Sequence, residues 1–258
     1  MPLPVIALDF DGVIADSARE SFDVALVTYS QFYPDSDLAA FTDPSHPGRR
    51  ILFESFLEMM ALGNRAEDYA LALKLIEQGR SVEDQESYDV IFSEQDPRFL
   101  GDFHHRLYEN RDRSRNANPE KWCEAVTPFV VFTEILKRRC EDARWSIVTA
   151  KDRSSVKLLL ASYGLEEVFK DSLIFDKSLG RDKRVHLQEL KGVVSVPHHE
   201  ITFVDDKLNH LETAALIGAQ CVLAAWGYNG DREQEGALRQ GFEVASLDTI
   251  EGILLPSS

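Results

Sequence analysis

Apolar positions along this chain change their period twice. Val5 to Phe10 reads as a short buried strand whose apolar run closes on Asp9-Phe10-Asp11-Gly12, the pattern of a strand buried on both faces. From about Ser17 to Trp122 the period becomes helical. Phe22, Ala25, Leu26 and Tyr29 fall at i, i+3, i+4 and i+7, as do Phe53, Phe56, Leu57 and Met60, and again Tyr69, Ala72, Leu73 and Ile76. Each set is an amphipathic stripe, most simply part of a helix-bundle core. Phe99, Phe103 and Leu107 predict a further helix after Pro97, and the proline-rich stretch from Tyr33 to Pro47 reads as a loop.

From about Thr127 the two periods alternate. Short apolar strands are expected at Trp145 to Thr149, Ser172 to Phe175, Ile201 to Asp205 and Gln220 to Ala225. Helices are expected at Pro128 to Cys140, Arg153 to Tyr163, Asp182 to Lys191 and Lys207 to Ile217. Such alternation predicts an α/β fold with a parallel sheet flanked by helices and joined by right-handed crossovers. The first strand belongs in that sheet, so the helical block is an insertion. The expected domains are 1–17 with 122–258 as the α/β core, and 18–121 as an inserted all-helical domain.

Composition narrows the function. A hydrophobic share of 44% with 28% charged residues is that of a globular protein, and a net charge of −16 argues against nucleic-acid or anionic-membrane partners. Cys123, Cys140 and Cys221 are too few and too scattered for a disulfide framework or zinc cluster. With no secretory signal pattern and no membrane-length apolar run, the expected compartment is the cytoplasm. The sequence leaves the oligomeric state open.

Polar residues gather where the apolar runs end, which is where open parallel sheets bind ligands. Asp9 and Asp11, spaced i, i+2, project to one side of an extended chain and repel each other unless a cation or proton relieves them. Gly12 permits a sharp turn or close approach. The second strand ends in Thr149, followed by Ala150 and Lys151; Lys183 opens a helix after the third; Asp205-Asp206 ends the fourth. Singly, each has an ordinary explanation as a turn, a helix cap or a solvated lysine. Their recurrence at successive strand ends points to a metal-assisted site. The adjacent pairs His104-His105 and His198-His199 lack the i, i+4 spacing of helix-borne ligands and are expected to be solvent or packing residues. Arg111, Arg113 and Arg115 are expected to form a solvated helix end.

Asp9-Phe10-Asp11-Gly12-Val13, Thr149, Lys183 and Asp205-Asp206, with Gly218-Ala219 and Ala225-Trp226-Gly227-Tyr228 further on, resemble the haloacid-dehalogenase-like hydrolases. The ending looks like the phosphoglycolate-phosphatase-type branch. The resemblance implies a Rossmann-like core with the helical insert as a cap. It also implies an Mg²⁺-dependent phosphatase acting on a small phosphorylated metabolite. Asp9 would attack phosphorus and Asp11 serve as acid and base. Thr149, Ala150 and Lys183 would bind phosphate, with Lys177 and Lys151 as competitors for the lysine role. Metal would be held by Asp9, Asp205 and the Asp11 backbone carbonyl, with Asp206 one layer out. A phosphomutase shares these parts, and a non-catalytic phosphate-binding scaffold is the other alternative. A dehalogenase would not need Asp11, and a receiver domain orders its motifs differently.

Overall fold

The computed structural model describes residues 2–180 and 182–256; Arg181, two positions before Lys183 in the sequence, lies outside them. One compact unit comprises Met1–Asp16 and Thr127–Ser258, the other Ser17–Val126.

The strands are β1 (Val5–Leu8), β2 (Ala15–Asp16), β3 (Thr127–Pro128), β4 (Arg144–Val148), β5 (Ile174–Phe175), β6 (Ile201–Asp205), β7 (Gln220–Ala224) and β8 (Glu243–Ala245). Six of them form one sheet in the order β5-β4-β1-β6-β7-β8, and every neighbouring pair is parallel. In register, Leu8 lies between Ile147 of β4 and Val204 of β6. The chain thus builds outward from β1 to β5, then crosses back to lay down β6 to β8. That reversal beside β1 is the switch point at which doubly wound sheets hold their ligands. All four side chains of β1 are buried, as its unbroken apolar run requires. Beneath the sheet Val5, Ala7, Phe203, Leu223 and Leu187 belong to one core cluster. The short β2 and β3 form a separate antiparallel pair, joining Ala15 to Pro128 and Asp16 to Thr127. Being only two residues each, they carry no alternation that sequence could reveal.

In the helical unit are α1 (Ala18–Phe32), α2 (Arg49–Met60), α3 (Ala66–Glu77), α4 (Gln85–Ser93), α5 (Pro97–Ala117) and α6 (Pro119–Glu124). The Tyr33-to-Pro47 loop contains a 3-10 turn at Asp37–Thr42. Phe22, Phe56, Leu73 and Phe103 are fully buried, and Phe22 packs on Phe56 with ring centroids 5.3 Å apart. One expectation fails here: Arg111 is not a solvated helix end. It is buried, and its Nε and Nη2 each donate to the buried Glu20 carboxylate at 2.8 Å. Trp122 Nε1 donates to the same carboxylate at 3.1 Å. The helix continues to Ala117, so Arg111 sits well inside it and its stem turns toward α1.

The sheet unit carries α7 (Val130–Arg138), α8 (Arg153–Tyr163), α9 (Lys183–Val194), α10 (Leu208–Ala215), α11 (Asp231–Arg239) and α12 (Ile250–Leu254). Two of their caps bear on the site. Asp152 begins α8 by accepting from Ser155 N–H at 2.9 Å. Asp182 begins α9 by accepting from Arg184 N–H at 2.9 Å, which places Lys183 in the first position of the helix. No helix among the described residues is long and apolar enough to cross a membrane.

Candidate active site

Asp9 follows the last residue of β1, and its N–H donates to the Val204 carbonyl of β6 at 2.9 Å. The ladder therefore extends one residue past the strand and fixes where the carboxylate emerges. Its Oδ1 accepts from Phe10 N–H at 2.7 Å, and Lys183 Nζ lies 3.0 Å from Oδ2. The same ammonium lies 3.2 Å from Asp205 and donates to the Val148 carbonyl at the end of β4 at 2.9 Å. Lys183 is almost fully buried. Burial opposes its charge, but Asp205 and Asp9 outweigh that and hold the ammonium's pKa above its usual value.

Asp11 takes a different cation. Lys151 Nζ lies 2.9 and 3.2 Å from its two oxygens. Lys177 is exposed and Lys151 is buried, so among the three lysines considered, Lys183 is the one set against Asp9. Thr149, buried at the end of β4, accepts from Lys151 N–H through its hydroxyl at 3.1 Å, and Ala150 between them is half-buried. A tight turn thus joins the threonine to the lysine that meets Asp11.

Asp205 and Asp206 are adjacent and fully buried, but their surroundings differ. Asp205 accepts from Lys207 N–H at 2.9 Å and from Lys183, and His210 Nδ1 lies 3.1 Å from each of its oxygens. Burial opposes its ionisation, yet His210 and Lys183 overcome that and hold the carboxyl below the usual range. Asp206 accepts from Tyr228 N–H at 2.7 Å through Oδ2, while its Oδ1 is buried without a hydrogen-bond partner. Burial, reinforced by Asp205 and Asp9 and only partly offset by Lys207, pushes Asp206 up to about 8. Asp9 is raised to about 6, again chiefly by burial.

Two glycines make room for Asp206. Gly12 has φ +84°, and a Cβ there would collide with the Asp206 carboxylate. A Cβ on Gly227 would strike both Asp206 and the Gly12 carbonyl. A buried carboxylate with one idle oxygen, wedged between two bare backbones, is an acceptor of the kind that suits a hard divalent cation. Donor atoms of Asp9, Asp205 and His210 also lie within 4.8 Å of one another.

Asp9, Asp11, Thr149, Ala150, Lys151, Asp205 and Asp206 lie at the carboxyl edge of β1, β4 and β6, and Lys183 at the start of α9, whereas Lys177 lies after β5 with an exposed side chain. Sequence reasoning did not single out His210, whose signal was its place just inside the helix after the acidic pair. Nor did it give Tyr228 and Gly227 a role, although their segment was noticed.

The profile of the haloacid dehalogenase-like hydrolases matches residues 3–218. Among solved structures, the chain is similar to a haloacid dehalogenase-like family hydrolase from Streptococcus pneumoniae (13% identity, 97% of each chain, TM-score 0.64). It is also similar to a predicted phosphoglycolate phosphatase from Haemophilus somnus (16%, 97% of each chain, 0.62). A third is a predicted phosphatase from Clostridium acetobutylicum (14%, 100% of each chain, 0.61). At such identities these structures speak for the fold: an α/β core with a helical cap. No curated protein matches the chain significantly. The match of the family profile over most of the sequence places this chain among the haloacid dehalogenase-like hydrolases.

Proposed function

We propose that the protein is a magnesium-dependent phosphatase that hydrolyses a small phosphate monoester through a phosphorylated Asp9. The observation that carries this reading is Lys183, buried between Asp9 and Asp205 at 3.0 and 3.2 Å. It puts a fixed positive charge against the carboxylate that would attack an anionic phosphorus. Phosphatase names among the structural neighbours agree with it.

Asp9 would attack phosphorus while the bond to the leaving oxygen breaks, and Asp11 would supply that oxygen's proton. Water would then attack the aspartyl-phosphate, Asp11 would take the water's proton, and Asp9 would be released with inorganic phosphate. Thr149, the backbone at Ala150 and Lys183 would hold the equatorial oxygens, since positioning and charge stabilisation dominate phosphoryl transfer. Lys151, bidentate on Asp11, orients that carboxyl and must loosen its hold when Asp11 is to act as an acid.

The residues present suit Mg²⁺, an ion that takes oxygen ligands and one or two carboxylates. We assign Asp9, the Asp11 carbonyl and Asp206 as its protein ligands. Asp206 Oδ1 is the acceptor left idle, whereas Asp205 is already committed to Lys183, Lys207 N–H and His210. This exchanges the roles that the resemblance suggested for the acidic pair. When bound, the cation would neutralise charge on the phosphoryl group. The helical insert leaves the sheet unit just after β2 and returns at β3, and we propose that it selects the leaving group.

Phosphate release from a panel of small phosphorylated metabolites, with Mg²⁺ or with chelator, tests the reading. Metal-dependent release from one class of monoester supports it. Isomerised phosphorylated product without free phosphate would mean a mutase, and no turnover of any kind would leave only a binding scaffold.

A further inference from the structure

The segment after β7 folds back over the turn that carries the two aspartates. Trp226 Nε1 donates to the Val13 carbonyl at 3.1 Å, and its ring packs on Phe132 with centroids 5.4 Å apart. Asn229 Nδ2 donates to the carbonyls of Asp206 and Ala224 at 3.1 and 2.9 Å. Between them stands Tyr228, which is buried and bonded in three directions. Its N–H donates to Asp206 Oδ2 at 2.7 Å. Its carbonyl accepts from Lys207 Nζ at 3.1 Å. Its phenol donates to Asp16 Oδ1 at 2.9 Å, and Asp16 ends β2.

From this geometry we infer that Tyr228 is a positioning residue for the metal site, with its phenol–Asp16 hydrogen bond holding the Asp206 carboxylate in its ligating orientation. The inference rests on the metal reading above. The backbone N–H of Tyr228 is the donor that fixes Asp206 Oδ2, leaving Oδ1 as the free acceptor. The position of that N–H depends on where the residue is anchored. Backbone bonds hold one side of the residue, through Gly227 N–H to the Ala224 carbonyl at 3.1 Å and Lys207 Nζ to the Tyr228 carbonyl at 3.1 Å. The phenol holds the far side, and Asp16 is itself fixed through its β2 pairing with Thr127. Outer-layer hydrogen bonds that orient metal ligands typically contribute a tenfold or greater effect on affinity; the phenol acts one bond further out, so the low end of that range applies.

The test is Mn²⁺ binding to the substrate-free protein, read from the electron paramagnetic resonance signal of free Mn²⁺, for wild type and four variants. Tyr228→Phe keeps the ring and removes only the hydroxyl. It should weaken Mn²⁺ binding about tenfold, as should Asp16→Ala. The double variant should be no weaker than either single one, because both remove the same bond. Asp16→Asn retains an oxygen to accept the phenol proton and should bind like wild type. A purely structural phenol would lower the metal-free melting temperature and leave Mn²⁺ affinity unchanged. Wild-type affinity in folded Tyr228→Phe would overturn the inference, and if that variant fails to fold, the same result in Asp16→Ala would overturn it. Absence of Mn²⁺ binding by the wild type would instead overturn the metal reading, and this inference with it.

Discussion

Lys183 reaches Asp9 from the first position of α9, its ammonium 3.0 Å from the carboxylate. The same ammonium lies 3.2 Å from Asp205, so two buried anions share it. Removing one partner of a buried ionic cluster typically costs about 3–5 kcal/mol. Lys183→Met is therefore expected to lower both turnover and melting temperature sharply. Lys151→Met, which releases only the half-exposed Asp11, should reduce turnover with a smaller loss of stability. Lys177→Met, on an exposed side chain, should change neither. Steady-state rates and thermal melts of the three variants check the order, and equal losses from Lys177 and Lys183 would contradict it.

Asp205 and Asp206 should fail differently when neutralised. Asp206→Asn removes the idle anionic oxygen proposed to face the cation, so Mg²⁺ affinity should fall steeply. Asp205→Asn removes a partner of Lys183 and His210, and should lower turnover more than metal affinity. Calorimetric Mg²⁺ titration of both variants decides this; a larger affinity loss in Asp205→Asn would return the ligand role to that residue.

Metal stabilisation should grow with pH. Asp206 is pushed up to about 8, chiefly by burial, against 3.8 for an ordinary aspartate. The folded state therefore holds a proton that the unfolded chain has already released. Its stabilising effect is full below the unfolded value and disappears as pH rises through about 8. Asp9, raised to about 6, contributes in the same sense at lower pH. A bound cation takes the proton's place, so Mg²⁺ should raise the melting temperature more at pH 8 than at pH 6. Melting curves in chelator and in Mg²⁺ at both values measure this, and an equal or opposite difference would contradict the burial argument.

Gly227→Ala should be among the most damaging small substitutions. The added Cβ meets Asp206 and the Gly12 carbonyl, neither of which is a flexible side-chain end. Thermal melts should show clear destabilisation together with lost Mg²⁺ binding, while Gly241→Ala, with open space around it but a positive φ of 78°, should affect stability alone.

Much of this arrangement is legible in the sequence because strand ends in a parallel sheet are marked twice, by an apolar run and by the polar residue that stops it. The runs ending at Asp9 and at Asp205 are of this kind, and Lys183 lies 3.0 and 3.2 Å from these two carboxylates. β2 and β3 were not legible, because two-residue strands have no period. Arg111 was misread for a related reason: an arginine near a helix end looks solvated until its distant partner, Glu20, is brought beside it. The differing environments of Asp205 and Asp206 depend on Tyr228 and His210, contacts that spacing along the chain does not encode.

If Asp9 carries the phosphoryl group, acid-quenching the wild-type protein during turnover of a ³²P-labelled monoester with Mg²⁺, then mapping the label to peptides, will find it there. The expected result is an acyl-phosphate at Asp9 in the wild type and none in Asp9→Asn. Label on another residue, or undiminished turnover in Asp9→Asn, would contradict it.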